Sequence, residues 1–501
     1  MSFALALDTA RKRRSDPEAL AELARLALHE GEEERALPLL SQAAVLDDAP
    51  LWQWKGLLER SLDEHEEALR SFAEAARLDP RSASIAHGLA RVALEAGVPS
   101  EDLFLRAARL SPSDGSILLG LAASRLAAGH GDQAEMELDA ALDRSPLWLE
   151  GHAQLAQLRS MLGRQELASA SLDRALQGRL RDVQLWRARF DLDVKRENFA
   201  GLEQALGSAD AAGVSSAILA PYAAIAASEQ GRANEADRLF AENDAKGGPG
   251  LPIWKTRHAL RNGRVDHALP LIDRELAGPD AAHVWPYAET AWRLAGDSRW
   301  EWLTRGGELV TTFDLFDELA PLDRLTAALR SIHRSNREYL DQSVRGGTQT
   351  DGPLFCRLEP EIRAVRSAVV QAVERYVARL PRPDPKHPLL SRRRDRRVRF
   401  AGSWSVRLKN KGFHASHVHP LGWISSALYI ALPPASEADE NAGRLQLGQP
   451  GGELGLSLPP IQLVTPAAGT LALFPSWMWH GTIPFPAGER LTIAFDVASP
   501  H

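Results

Sequence analysis

The sequence predicts a multidomain chain. An all-α superhelix of stacked helical hairpins spans residues 1–305, a helical connector together with the N-terminal part of the last domain spans 306–398, and an antiparallel β sandwich or barrel spans 399–501. Three observations carry this reading. A turn residue followed five positions later by alanine recurs through the first part, and proline-closed helix ends share its period. After Arg399 the apolar residues change from helical spacing to short β-branched and aromatic runs. At 501 residues the chain exceeds one ordinary core, and a domain size of about 150 residues suggests about three units.

The recurring pairs are Gly31/Ala36, Asp63/Ala68, Gly129/Ala134, Gly163/Ala168, Gly231/Ala236 and Gly263/Ala268. Gly97 and Gly296 hold the same phase without the alanine, and Asn198 fills the remaining gap. Neighbouring Gly and Asp markers lie 32 to 34 residues apart, and "RLDP", "RLSP" and "DRSP" end at Pro80, Pro112 and Pro146. Small alanines let antiparallel helices approach, glycine supplies a left-handed turn, and proline stops the second helix. A period near 34 with this order is the signature of tetratricopeptide repeats, so about nine hairpins are expected to stack. The concave surface of such arrays receives proteins or peptides, which predicts a protein or peptide partner in the repeat groove.

Past Thr311 the repeat is lost. "FDELAPLDRLTAALRSIHRSNREYL" and "EPEIRAVRSAVVQAVERYVARL" read as amphipathic helices. Between them "SVRGGTQTDGPLF" is too rich in Gly and Thr for a helix, and "PRPDPKHP" is a rigid connector. Then "SWSVRL", "WISSALYIAL", "GRLQLG", "IQLVTP", "TLALFP" and "RLTIAFDV" follow as strands separated by turn residues.

Composition excludes several classes. A net charge of −7 with 25% charged residues gives no general attraction to nucleic acid or an anionic membrane. The six arginines of "RRRDRRVRF" lack interleaved aromatics and read as a solvated linker or a dock for an acidic partner. The single cysteine, Cys356, excludes intramolecular disulfides and cysteine-based metal sites. "MSFALALDTARKRRSDPEAL" has the wrong order and length for a secretory signal, and no run is long enough to span a membrane. A cytoplasmic location is the expectation.

The densest chemical signal is "GFHASHVHPLGW", which holds His414, His417 and His419 of the chain's 15 histidines. In an extended segment His417 and His419 project to one side, and His414 has the opposite parity and faces away. His480, in the Trp-flanked turn "LFPSWMWHGTIP", is the candidate third ligand. Three neutral imidazoles suit iron, zinc, copper or nickel and leave open coordination positions.

The order of these parts resembles the iron(II)/2-oxoglutarate-dependent oxygenases. Those proteins carry H-x-D/E…H on a double-stranded β-helix (jelly roll), with an Arg or Lys about ten residues past the distal histidine. Gly412, His417 and His419 occupy a G-x4-H-x-D frame, and Arg490 lies ten residues beyond His480. "GGTQTDGPLF", "HVHPLGWISSALYIALP" and "FPSWMWHGTIP" look like a bacterial subgroup that often carries N-terminal tetratricopeptide repeats. The resemblance covers about residue 340 to the C-terminus. It departs from the general pattern at His419, where a carboxylate is usual. Glu453 and Asp439 are the other carboxylates considered for that place.

The resemblance implies that His417, His419 and His480 hold Fe(II). Arg490 would pair with the distal carboxylate of 2-oxoglutarate, and Thr492 and Tyr429 would add hydroxyl donors. Substrate, 2-oxoglutarate and O2 would give hydroxylated substrate, succinate and CO2. Arg407, Trp477 and Trp479 are candidate substrate contacts. Two other readings stand beside this one: a repeat scaffold whose degenerate barrel only binds protein, and a three-histidine metalloenzyme that needs no cosubstrate.

Overall fold

The computed structural model describes residues 2–43, 47–335, 340, 343–434 and 439–500. After an opening helix Phe3–Lys12, nine helical hairpins follow one another among the described residues. The first pairs Pro17–Glu30 with Glu33–Ala43, and the ninth pairs Ala281–Ala295 with Arg299–Thr304. Each hairpin turns through one left-handed residue: Gly31, Asp63, Gly97, Gly129, Gly163, Glu197, Gly231, Gly263 and Gly296. This helical-repeat region resembles the tetratricopeptide architecture in period and in turn geometry. The alanines five residues after the turn markers, from Ala36 to Ala268, are buried, as close helix approach requires.

The sixth turn corrects an expectation. Glu197, not Asn198, takes the left-handed conformation, at φ 55°. Asn198 instead caps the next helix, its side chain accepting from the Gly201 N–H at 3.2 Å. Asparagine serves both tasks well, so composition alone does not separate them by one position.

The remaining chain builds two antiparallel sheets. In chain order the strands are β1 (Thr311–Asp314), β2 (Val344–Gln349), β3 (Phe400–His414), β4 (Gly422–Ala431), β5 (Leu445–Leu447), β6 (Gln462–Val464), β7 (Thr470–Pro475), β8 (His480–Thr482) and β9 (Glu489–Ala498). Six form one sheet in the order β1-β7-β4-β9-β3-β2, and three form the second in the order β6-β5-β8. β1 and β2 lie upstream of the segment read as strands. The Gly/Thr-rich stretch becomes the edge strand β2, which pairs with β3 through a register shift between Arg345 and Gly347.

Helices Leu322–Ile332 and Pro360–Arg379 cover one face of the six-stranded sheet. The first is shorter than the sequence suggested, and residues 336–339 of that reading lie outside the described residues. Alternation along β9 shows the division. Leu491, Ile493, Phe495 and Val497 join the core under the helices, with Val365, Val369 and Tyr376. Arg490, Thr492, Ala494 and Asp496 have the opposite parity.

The array contacts the β domain at both ends. The arginine run docks on the first two hairpin turns: Arg396 reaches Glu32 at 2.6 Å, Arg399 reaches Glu33 at 2.8 Å, and Arg397 reaches Glu64 at 2.9 Å. The acidic partner of that run is therefore the chain's own array. At the other end Trp477, Met478 and Trp479 share one apolar cluster with Tyr287, Ala288 and Trp292 of the ninth hairpin. No helix among the described residues is long and apolar enough to cross a membrane.

Candidate metal centre

β3 delivers His414 at its end, and the chain then leaves strand geometry. His417 regains main-chain pairing with His480 at the start of β8: each N–H donates to the other's carbonyl, both at 2.9 Å. Gly481 permits this approach, because a Cβ there would lie 2.9 Å from the His414 carbonyl oxygen. The His419 N–H donates to the Ser476 carbonyl at 3.0 Å. Two segments about 60 residues apart thus bring three imidazoles together through backbone contacts.

One potential ligand atom from each of His417, His419 and His480 lies within 4.8 Å of the others. Ring centroids are 4.2 Å apart for His417–His480, 4.9 Å for His417–His419 and 5.0 Å for His419–His480. Each Nδ1 has an oxygen partner: Ala415 O at 2.8 Å, Met478 O at 2.9 Å, and Asp496 Oδ2 at 2.6 Å for His419. With Nδ1 carrying the proton, Nε2 offers a lone pair. Burial holds the His417 imidazole down to about 3 and that of His480 well below its ordinary value, with neighbouring histidines adding to both. Both rings are neutral at physiological pH, as metal ligands must be.

Arg490 lies in the same pocket, 2% exposed, with its guanidinium 5.0 Å above the Tyr429 ring. Arg490 Nε and the Tyr429 hydroxyl are both buried and make no hydrogen bond of normal geometry, although the two side chains interact with each other. Burial lowers the Arg490 guanidinium and raises the Tyr429 phenol from their ordinary values. Thr492 lines the pocket between them in register, opposite Val406 of β3 and Tyr429 of β4. A buried cation with no carboxylate partner among the described residues is costly unless an anion completes it. The donor set therefore fits a carboxylate anion at Arg490, and the three imidazoles fit a divalent transition metal.

Residues 402–496 match the family described as "Putative 2OG-Fe(II) oxygenase". That segment contains all three histidines, Arg490, Thr492 and Tyr429. No curated protein matches the chain. Among solved structures it is similar to a tetratricopeptide repeat protein from Parabacteroides merdae at 16% identity, covering 43% of this chain and 88% of that one with a TM-score of 0.32. YrrB, titled a TPR protein with an unusual peptide-binding site, is 19% identical over 38% of this chain and 97% of that one, with a TM-score of 0.29. MamA from Desulfovibrio magneticus is 15% identical over 32% and 93%, with a TM-score of 0.29.

Within the oxygenase-matching segment the structure departs from several expectations. His414 does not face away. It stacks on His417 at 5.8 Å, and Ser343 Oγ lies 3.0 Å from its Nδ1 and 3.2 Å from His417 Nε2. Strand parity fails because the strand ends at His414. Arg407 is not in the pocket; its guanidinium pairs with Glu489, which also pairs with Arg330. Trp477 and Trp479 point away from the histidines into the array, and Trp479 Nε1 donates to Pro286 O and Thr290 Oγ1, each at 3.1 Å.

Neither Glu453 nor Asp439 joins the histidine group. Glu453 is half-buried near Arg257 after β5, and its main-chain carbonyl accepts from Arg261. Sequence reasoning missed Asp496, which shares β9 parity with Arg490 and Thr492. That alternation was the signal available. Ser343 carried no signal, since nothing local ties it to residues some 70 positions later.

Proposed function

We propose that this protein is an Fe(II)/2-oxoglutarate-dependent oxygenase that hydroxylates a protein or peptide recruited by its repeat array. The observation that carries the reading is the pairing, in one pocket, of three convergent imidazoles with a buried, uncompensated Arg490. The family match over 402–496 supports it independently, and the two antiparallel sheets are compatible with a double-stranded β-helix.

In this reading His417, His419 and His480 hold the metal through Nε2, each oriented by its Nδ1 contact. Arg490 binds the distal carboxylate of 2-oxoglutarate through a charge-assisted, two-pronged contact, with Tyr429 and Thr492 offering hydroxyl donors beside it. The apolar walls, including Ala427, Leu445 and Ala494, keep water away from the reacting centre. Iron held there would supply the O2 chemistry that couples decarboxylation of 2-oxoglutarate to substrate hydroxylation. A buried guanidinium with no carboxylate partner among the described residues favours this reading over a three-histidine enzyme without cosubstrate, which has no need of a buried cation. Repeat groove and pocket share one chain, which suits a peptide substrate.

Purified protein supplied with Fe(II), ascorbate and 2-oxoglutarate is expected to yield succinate in step with a +16 Da product on proteins captured by the array. His480→Ala and Arg490→Ala are each expected to abolish succinate release. Turnover retained in both variants defeats the assignment.

A further inference from the structure

We propose that Asp496 is the anionic member of the metal centre, acting through His419. This rests on the oxygenase reading above and says how a site with three histidines recovers the charge that an H-x-D/E ligand set carries directly. Asp496 is a positioning residue: it touches His419 and not the metal.

The three Nδ1 contacts are not equivalent. His417 and His480 donate to main-chain carbonyls of Ala415 and Met478, which are neutral. His419 alone meets a carboxylate, Asp496 Oδ2, at 2.6 Å. His419 is also the ligand that stands where the oxygenase pattern places an acid. A carboxylate accepting the Nδ1 proton pulls the imidazole toward imidazolate character, so Nε2 becomes a stronger donor and negative charge is returned to the site.

The carboxylate is itself built in. Ser425 donates to Asp496 Oδ1 at 2.5 Å, and Ser476 Oγ stands 2.9 Å behind Ser425 Oγ. Both serines are buried, and Asp496 is 8% exposed. No Lys or Arg among the described residues forms an ion pair with Asp496, so its charge is directed at His419. Crowding at Gly422 fixes the arrangement from the other side: a Cβ there would lie 2.6 Å from Ser476 Oγ and 3.3 Å from Asp496 Cβ. A residue that only filled this space would be served equally by asparagine. The charge is what aspartate adds.

The test compares native protein with Asp496→Asn, which keeps shape and an oxygen acceptor, and Asp496→Glu, which keeps charge. Anaerobic calorimetric titration with Mn(II) reads affinity, and the midpoint potential of bound iron reads charge, which a packing role would leave unmoved. Asp496→Asn is expected to weaken Mn(II) binding by about 10–100-fold, the scale for removing such an outer partner, and to raise the iron potential. Asp496→Glu is expected to recover part of both, and thermal melting without metal checks that each variant folds. Native-like affinity and potential in Asp496→Asn overturn the proposal while leaving the oxygenase reading in place. No Mn(II) or Fe(II) uptake by the native protein overturns both.

Discussion

At its amino-terminal end the array meets the β domain through arginine–glutamate pairs, and at its carboxy-terminal end through tryptophans. The first contact joins Arg396, Arg397 and Arg399 to acidic residues of two hairpin turns. The second buries Trp477, Met478 and Trp479 against the ninth hairpin, immediately before His480. The Arg397–Glu64 pair, about a third exposed, is weak and screened by salt, whereas the Arg396–Glu32 and Arg399–Glu33 pairs are part-buried and the aromatics at the other end interdigitate. The end of the array that abuts the metal centre is held by apolar packing. The charged contact lies at the far end, away from the histidines.

The largest expected effect breaks the apolar contact. Trp479→Ala removes a buried indole and its donation to Pro286 and Thr290, at a cost of about 3–5 kcal/mol. Because His480 follows directly, thermal melting and Mn(II) affinity are expected to fall together. Native metal affinity in a destabilised Trp479→Ala protein would show that the contact holds the array but not the site.

A second test titrates that contact. Glu289, 1% exposed among the tryptophans, accepts from Trp300 Nε1 at 2.8 Å, and burial pushes its carboxyl up to about 7. The folded state then binds a proton that the unfolded chain releases near 4.5. Its contribution is complete below that value and is lost as pH rises toward and through 7, by up to about 3 kcal/mol. Glu289→Gln should remove this slope and raise the melting temperature at pH 8. An unchanged pH dependence in the variant would place the titration elsewhere.

The smallest effect is expected at the charged contact. Arg397→Ala, at the most exposed of these pairs, should cost at most about 1 kcal/mol at low ionic strength. That difference should disappear near 1 M salt, where the screening length is about 3 Å. A salt-independent loss would mean that Arg397 acts by packing instead.

Much of this was legible in the sequence. The turn period located eight of the nine left-handed residues, because a repeating hairpin imposes the same backbone need at the same step. It slipped by one at Glu197, where no glycine marks the turn. His417, His419, His480 and Arg490 were readable as a pattern, and Asp496 was readable from β9 parity but overlooked. The orientations of Trp477, Trp479 and Arg407 were not readable, since they depend on which distant element lies on each face. The carboxylate expected at His419 stands one hydrogen bond further out.

The docking of the arginine run has a practical consequence. A chain shortened to begin near residue 306 would lose Glu32, Glu33 and Glu64 and turn Arg396, Arg397 and Arg399 loose into solvent. Such a fragment would acquire a basic patch that the whole protein does not display. It would gather polyanions during purification, with a steep dependence on ionic strength, and imitate a nucleic-acid-binding domain. Affinity for heparin or RNA measured on the fragment would report the missing hairpins.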